Sequence, residues 1–337
     1  MRYQKSEAKD WARQHMVGVC ASLLPTFTSD LHHLNEAGIR HDVRRLIEFG
    51  FWGALLISEC GTTADEYISF MEIAADEAKG RICLAAQNLP TTASDTLRIY
   101  KAAETIGFDA ALIGYPDSFR PVSEQHILEY SRHLIEATRL AVILYSSQSW
   151  DFGAIHPAQL SLRTVSGLTE LPNVVAIKCE GGAPGTGSVT ELVHHLGDRL
   201  LVSDSQEYAV PAGVKMYNMQ WLGTSNYDYY GDTVVRYFDL LRAGDWDKGM
   251  SLFWKIHPAR VARFEHARAS GAHVINRAAW KYQGWLNGMN GGPLRGPLPR
   301  IDSRQAESLR SGLVRSGIVG PETSSDLMEF IQGRCPA

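Results

Sequence analysis

The stretch Val174-Val175-Ala176-Ile177-Lys178-Cys179 decides how the chain is interpreted. Its first four residues are apolar, which predicts a buried strand, and a lysine follows near the strand end. An unpaired ammonium is costly to bury, and desolvation lowers a lysine's pKa, so such an amine can attack a carbonyl group. From this segment alone, a lysine whose amine reaches water at the strand end is favoured by about two to one.

Outward from this stretch, apolar runs alternate with segments of helical period along the chain. The predicted strands are 17–24, 52–58, 81–87, 110–114, 141–145, 174–179, 200–203 and 219–224. The predicted helices are 36–49, 67–79, 94–106, 124–137, 157–169, 189–196, 208–217 and 233–242. Eight strand-then-helix units in about 225 residues predict an α/β fold, a (β/α)8 TIM barrel. A doubly wound sheet usually has a glycine-rich turn after its first strand, whereas Pro25-Thr26-Phe27 stands there.

The domain organisation follows from where this alternation starts and stops. We expect an N-terminal extension over 1–16, the barrel over 17–244 and a C-terminal helical region over 245–337. The helices predicted in the last region are 246–269, 274–286 and 304–316, with a Gly/Pro-rich loop at 291–299. This helical appendage is expected to cover the barrel or mediate assembly.

Composition excludes several classes of protein. The 337 residues are 45% hydrophobic and carry a net charge of −4, which gives no reason to expect nucleic acid or an anionic membrane as a partner. Five widely spaced cysteines form no zinc or disulfide pattern, and the adjacent pairs His32-His33 and His194-His195 do not match a metal motif. No apolar run is long enough to span a bilayer, and no signal peptide is evident. We therefore expect a cytoplasmic protein without a metal.

Polar side chains recur at the predicted strand ends, where barrel enzymes carry their catalytic groups. They comprise one amine, two phenols and several hydroxyl and amide groups: Gly61-Thr62-Thr63, Tyr115, Tyr145, Lys178, Ser205 and Ser225-Asn226. Each also has an ordinary interpretation. Thr63 can cap the following helix, and a tyrosine at a strand end is usually a packed ring. Their coincidence at equivalent strand ends favours a site suited to imine chemistry, in which a phenol and a threonine relay protons.

The chain resembles the dihydrodipicolinate synthase / N-acetylneuraminate lyase family of Schiff-base-forming class I aldolases. The resemblance runs from about residue 17 to residue 300. The segments that carry it are Gly18-Val19 to Leu24-Pro25-Thr26-Phe27, Gly61-Thr62-Thr63-Ala64-Asp65, Ile143-Leu144-Tyr145, Val175-Ala176-Ile177-Lys178 and Gly291-Gly292-Pro293-Leu294-Arg295. The lysine and tyrosine segments are specific when taken together.

The resemblance implies a role for each matched residue. Lys178 would form an imine with pyruvate or a related 2-oxo acid, so that no separate cofactor is needed. Tyr145 would shuttle protons with Thr62 in the relay, and Thr63 would bind the carboxylate of the 2-oxo acid. We also expect Gly61, Trp150, Tyr115, Ser205, Ser225 and Asn226 to contact substrate.

Departures from the family pattern concern the second substrate. After the tyrosine, dihydrodipicolinate synthases typically have Asn-x-Pro-x-Arg-Thr-Gly, whereas residues 146–153 are Ser-Ser-Gln-Ser-Trp-Asp-Phe-Gly, with Trp150 near the place of the arginine. The family's Pro-Tyr-Tyr pattern, whose tyrosine reaches a neighbouring subunit, corresponds here to Gly114-Tyr115-Pro116-Asp117-Ser118. These differences argue against genuine dihydrodipicolinate synthase activity. The spacing around Tyr115-Pro116 and Trp150-Asp151-Phe152 is closer to that of the hydratase-aldolase branch, which acts on aryl-substituted 2-oxo acids.

The leading hypothesis is a metal-independent lyase or aldolase that makes or breaks a carbon–carbon bond between a 2-oxo acid and an aldehyde. Trp150 could line an apolar or aromatic acceptor pocket, with Trp52, Trp221, Tyr227 and Tyr229 as candidate neighbours. The alternatives are a Schiff-base dehydratase or decarboxylase of the same family, and a non-catalytic 2-oxo acid binding protein. The resemblance also implies a homodimer or homotetramer.

Overall fold

The computed structural model describes residues 2–87, 92–116, 118–180, 189–270, 275–296 and 299–336. The fold is a (β/α)8 barrel followed by C-terminal helices, as predicted. Eight strands lie in the described ranges: β1 Gly18–Leu23, β2 Gly53–Leu56, β3 Cys83–Gln87, β4 Ala110–Leu112, β5 Ala141–Ser146, β6 Val174–Cys179, β7 Leu201–Asp204 and β8 Trp221–Ser225. They form one sheet in the order β7-β6-β5-β4-β3-β2-β1-β8. Every strand except β7 is buried along its whole length, which explains why the strands are continuous apolar runs.

Helices follow the strands at nearly the predicted positions. In chain order they are α1 Ala8–His15, α2 Glu36–Glu48, α3 Ala64–Ala78, α4 Ala93–Ile106, α5 Glu124–Glu136, α6 Leu162–Thr169, α7 Val189–Leu196, α8 Val210–Tyr217, α9 Thr233–Arg242, α10 Trp246–Lys255, α11 His257–Ser270, α12 Arg277–Leu286, α13 Ser303–Arg315 and α14 Leu327–Gln332. Several begin at a polar residue whose side chain accepts a backbone N–H of the first turn: Asn35, Thr63, Thr92, Ser123, Ser161, Asn276, Asp302 and Asp326.

The helical regions differ from expectation in three places. The single helix predicted over 246–269 is wrong, because α10 ends at Lys255 and α11 begins at His257. Pro258 explains the break, since proline is tolerated only in the first turn of a helix. Helices α1 and α14 were not predicted, and the predicted start at residue 274 lies outside the described residues.

Two compact units make up the chain: residues 1–20 with 83–224, and residues 21–82 with 225–337. In the first unit, β3 to β7 pair in parallel, each with the next strand along the chain. The N-terminal residues are a packed part of this unit, since α1 lies against β5 and β6 and buries Trp11. The Tyr3 hydroxyl donates to the Asp109 carbonyl and accepts the Ala141 N–H at 2.6 Å.

The second unit has a buried ionic cluster that ties the chain after β1 to α12. Lys281 on α12 donates to the Pro25 carbonyl and, at 2.9 Å, to the Thr26 hydroxyl. Thr26 donates in turn to Asp42 at 3.4 Å, and Asp42 also accepts the Asn290 N–H. Burial lowers the pKa of Lys281 to about 8 and raises the pKa of Asp42. The opposite charge of the partner works against each of these shifts. The C-terminal helices are therefore built into this unit.

Candidate active site

Lys178 and Tyr145 lie side by side at the ends of adjacent strands. Tyr145 on β5 is the register partner of Lys178 on β6, and both residues are only 5% exposed. The Lys178 Nζ lies 4.1 Å from the centroid of the Tyr145 ring, so the ring face borders the amine. A cation over an aromatic face is stabilised by the ring quadrupole, which offsets part of the cost of burying the charge. The structure thus brings together the two residues with the most specific sequence signal.

Glu180 also borders this amine, although it is not among the site residues predicted from the sequence. Its Oε1 lies 3.1 Å from Lys178 Nζ, and its Oε2 accepts a 2.7 Å hydrogen bond from the Ser147 hydroxyl. Burial raises the pKa of Glu180, but the Lys178 charge and hydrogen bonds from Tyr145, Ser147 and Lys178 outweigh it and hold the pKa below 4.5. The sequence does carry a signal for Glu180, because it lies two residues after Lys178 and residues two apart on a strand point to the same side.

Trp150 lies directly beside the catalytic candidates. Its indole N–H donates to the Tyr145 carbonyl at 2.9 Å, and the two rings meet edge to face with centroids 5.3 Å apart. Ser147 caps the short turn Gln148–Trp150, so it holds both this turn and Glu180. Asp151 ends the turn in the left-handed region with φ 56°. Trp150 is therefore fixed against the Tyr145 end of β5.

The ring of Tyr115 packs against Trp150 within an aromatic cluster. The centroids of its ring and of Trp150 are 5.5 Å apart, and those of its ring and Phe152 are 5.0 Å apart. Its hydroxyl shares a 2.7 Å hydrogen bond with Ser131, and burial raises its pKa above the ordinary value. A cavity of about 140 Å³ is lined by Tyr115, Pro116, Arg120, Ser149, Trp150 and Asp151. Asp117 of the same segment lies outside the described residues.

Ser205 serves the backbone of its own unit. Its hydroxyl and its N–H both donate to the Cys179 carbonyl at 2.9 Å, which holds the chain after β7 against the end of β6. The predicted contact of Ser205 with substrate stays a prediction. Its observed contacts support the position of Lys178, the residue before Cys179.

The Gly61-Thr62-Thr63 turn lies in the second unit, where it starts α3. The Thr63 hydroxyl accepts the Glu66 N–H at 3.2 Å and Glu66 accepts the Thr63 N–H at 2.9 Å, which forms a capping box. The Thr62 hydroxyl lies 3.4 Å from the Ser58 carbonyl. Gly61 has φ 77°, and a Cβ there would lie 2.5 Å from the Cβ of Arg295, so only glycine fits. The capping alternative for Thr63 describes its observed contacts, while its binding of a carboxylate stays a prediction.

Ser225 and Asn226 at the end of β8 form a polar network with the C-terminal helices of the second unit. Arg263 on α11 donates to the Asn226 amide oxygen at 2.8 Å and to the Ser225 hydroxyl at 3.3 Å. The Asn226 amide also donates to Gln283 on α12. Tyr229, a candidate neighbour of Trp150, donates its hydroxyl to the Leu309 carbonyl at 2.9 Å. These contacts anchor the end of β8 to the helices that follow it.

Comparison with known proteins decides the family. A family model described as the dihydrodipicolinate synthetase family matches residues 15–313. The chain belongs to the dihydrodipicolinate synthetase family. It is 26% identical over 312 residues to the 4-hydroxy-tetrahydrodipicolinate synthase of Methanopyrus kandleri, which covers 90% of this chain and 97% of the relative. It is 24% identical over 314 residues to an uncharacterized DapA-like lyase of Pyrobaculum arsenaticum, covering 90% of this chain and 99% of the relative.

Solved structures agree on the fold of this lyase family. The structure of PhdJ bound to a substrate intermediate has a TM-score of 0.73 at 19% identity and covers 94% of this chain and 96% of its own. N-acetylneuraminate lyase from Fusobacterium nucleatum complexed with pyruvate has a TM-score of 0.72 at 19% identity, with coverages of 89% and 96%. At these identities the likeness establishes the barrel fold. Family membership confirms the resemblance inferred from the sequence motifs.

Within the described ranges, no cluster of three His, Cys, Asp or Glu side chains could hold a metal ion. In the same part of the chain, no helix is long and apolar enough to cross a membrane. All five cysteines are free thiols, and the four in the strands and adjoining loops are buried.

Proposed function

We propose that the protein is a class I aldolase that forms a Schiff base between Lys178 and pyruvate or a related 2-oxo acid, and makes or breaks a carbon–carbon bond to an aldehyde. The observation that carries the proposal is a lysine whose side chain is only 6% exposed and whose Nζ lies 4.1 Å from the centroid of the Tyr145 ring. Membership of a lyase family supports it. A buried lysine is suited to imine formation, because enclosure limits the competing access of water to the intermediate.

Tyr145 is assigned the proton transfer at the carbon–carbon bond step, with Thr62 as the second member of the relay and Thr63 as the ligand of the substrate carboxylate. The protonated imine withdraws electrons from C3 of the 2-oxo acid. A proton on C3 can therefore leave, or the bond to the next carbon can break and release that carbon as an aldehyde, and in both cases an enamine forms. The enamine then attacks an aldehyde carbon in the synthetic direction, or is protonated in the cleavage direction. A positioned phenol can move the proton to or from the aldehyde oxygen.

The aldehyde is proposed to be apolar or aromatic, and the reaction to differ from that of a dihydrodipicolinate synthase. Trp150 stands near the place where the family pattern has an arginine, and it lies within an aromatic cluster with Tyr115 and Phe152. An indole face offers an apolar or aromatic group a packing surface, whereas it cannot pair with a carboxylate as a guanidinium does. The Tyr115 hydroxyl is engaged with Ser131 in its own chain, which argues against a role for it at a neighbouring site.

Borohydride trapping tests the proposal. Incubation of the full chain with pyruvate and sodium borohydride should add the mass of a reduced pyruvyl group, located on Lys178 by peptide mapping. Lys178→Ala should remove the adduct, and Tyr145→Phe should lower turnover about 100-fold or more while pyruvate still stabilises the protein against heat. Absence of an adduct with every 2-oxo acid in a panel would refute the imine mechanism. Release of carbon dioxide or water without an aldehyde would instead identify a decarboxylase or dehydratase.

A further inference from the structure

The carboxylate of Glu180 lies beside the Lys178 amine but has no role in the reaction proposed above. The β5–β6 ladder continues past the last residue of β6, since the Glu180 N–H donates to the Ser146 carbonyl at 3.1 Å. Side chains two apart on such a ladder point to the same side, which places Glu180 next to Lys178. The Oε1 to Nζ distance is 3.1 Å, and the two side chains are 21% and 6% exposed.

Among the residues that the structure describes, three donors hold this carboxylate in place. Besides Lys178, the Ser147 hydroxyl donates to Oε2 at 2.7 Å and the Tyr145 hydroxyl donates a further hydrogen bond. The donors outweigh the effect of burial on its pKa, so Glu180 is ionised at neutral pH. A partly buried carboxylate fixed by hydrogen bonds on both oxygens costs no reorganisation when charge develops beside it.

Imine formation needs such a group. An ammonium and a ketone are converted into a protonated imine and one water, so two protons leave nitrogen and both end on the departing oxygen. The ammonium cannot attack until it has lost the first proton, and the carbinolamine hydroxyl cannot leave until it has gained the second. A base within hydrogen-bond distance of the nitrogen can carry out both transfers.

We propose that Glu180 is a catalytic residue that carries these protons from Lys178 to the oxygen of the 2-oxo acid and then serves as the counter-ion of the protonated imine. This inference rests on the proposed Schiff-base function. Glu180 first accepts a proton from the ammonium; the free amine then attacks C2, the C–N bond forms and the carbonyl π electrons move to oxygen. The proton passes to that oxygen. A second proton follows from nitrogen through Glu180, the C–O bond breaks and water leaves.

One carboxylate is enough for these reaction steps, because the protons and charges balance. Glu180 begins and ends as a carboxylate, and the single positive charge begins on the ammonium and ends on the iminium. The ring of Tyr145 faces the same nitrogen at 4.1 Å, so the cation is bordered by a π face and a carboxylate throughout. Ser147 acts as a positioning residue, because it holds Glu180 and the turn that carries Trp150.

The experiment compares the rate at which pyruvate and borohydride label Lys178 in the wild type and in Glu180→Gln, from pH 5 to pH 9, by intact mass. The glutamine keeps the size and some hydrogen bonds but cannot accept a proton. We expect labelling to slow about 100-fold at pH 7, with heat stabilisation by pyruvate retained. Glu180→Ala should regain part of its rate when formate is added. The matched control is Glu170→Gln, which removes one charge from a surface pair with Arg199 and should label at the wild-type rate.

Each result supports or overturns the proposal. Labelling of Glu180→Gln at the wild-type rate across the pH range would overturn it while leaving the Schiff base intact. Absence of labelling in the wild type would refute the proposed function itself, and the role of Glu180 with it. If circular dichroism shows that Glu180→Gln is unfolded, Glu180→Asp decides the question, since a shortened carboxylate should label at an intermediate rate and an unchanged rate would contradict the assignment.

Discussion

Replacement of Arg295 by alanine should destabilise the second unit, because this side chain holds together the segments around the Gly-Thr-Thr turn. Its Nη1 lies 2.7 Å from both carboxylate oxygens of Glu66. Its Nε and Nη2 donate to the carbonyls of Leu31 at 2.7 Å and His32 at 2.9 Å. The guanidinium also lies 4.3 Å from the centroid of the Phe27 ring.

The magnitude follows from these contacts. Hydrogen bonds to a charged group contribute about 1.5–3 kcal/mol each when buried. Because the Arg295 side chain is 20% exposed, we take about 1 kcal/mol for each of the three partners. The contact with the ring adds about 0.5–1 kcal/mol. We expect Arg295→Ala to lower the free energy of unfolding by about 3–4 kcal/mol, and Arg295→Lys by about half as much, since an ammonium cannot reach all three partners.

Urea denaturation followed by circular dichroism measures this loss, with Arg300→Ala, an exposed arginine, as the control. Burial raises the pKa of Glu66, but hydrogen bonds from Arg295 and Thr63 outweigh it and hold the pKa below 4.5. The contribution of the ion pair should therefore persist at pH 5 and decrease as the pH falls through that lowered pKa. A loss under 1 kcal/mol for Arg295→Ala, or equal losses for alanine and lysine, would refute the reasoning.

The remaining predictions concern Asp228 and Trp150. Burial raises the pKa of Asp228 from 3.8 to about 8, so folding binds a proton between these values and stability falls as the pH rises from about 4 to about 8. Asp228→Asn should remove most of that loss of stability, which amounts to a few kcal/mol at about 1.4 kcal/mol per pKa unit. Urea denaturation at pH 5 and pH 8 measures the effect, and an unchanged pH dependence would contradict the raised pKa of Asp228. Trp150→Ala should raise the KM of an aromatic aldehyde about 10- to 100-fold through lost apolar burial, while the rate of pyruvate labelling stays within about twofold. Equal effects on both measurements would show that Trp150 supports Tyr145 rather than the aldehyde.

The carboxylate of Glu180 beside Lys178 distinguishes this lysine from a buried lysine with only apolar neighbours. Glu180 Oε1 lies 3.1 Å from Lys178 Nζ, so the carboxylate that would stabilise an ammonium there is also the group placed to accept its proton. The same arrangement connects the amine to the aromatic cluster, because Ser147 contacts Glu180 and caps the turn of Trp150. Ser147 thereby connects the proposed acceptor surface at Trp150 with the proposed site of imine formation at Lys178.

Much of the architecture could be predicted because it depends on local pattern. Strands buried on both faces are apolar runs, and helices of a barrel have a 3.6-residue period, so their alternation identifies the fold. The errors concern the helices outside the strand-then-helix alternation. Helix α1 was missed although Ala8, Trp11 and Ala12 have the i, i+3, i+4 spacing of a buried helical face, which here packs against β5 and β6. The break before α11 was missed although Pro258 signals it.

By itself, the sequence determined the barrel, the strand of Lys178 and the match to a lyase family, since periodicity and ordered motifs are properties of the chain. Only the tertiary structure decided which groups surround the amine. The register that sets Tyr145 against Lys178 depends on a shift at Val142 and Ile143, where the pairing of β5 with β6 is irregular. Glu180 approaches the same nitrogen because that ladder continues one residue further. Register arises from contacts between strands distant in sequence, so the residues of one strand cannot specify it alone.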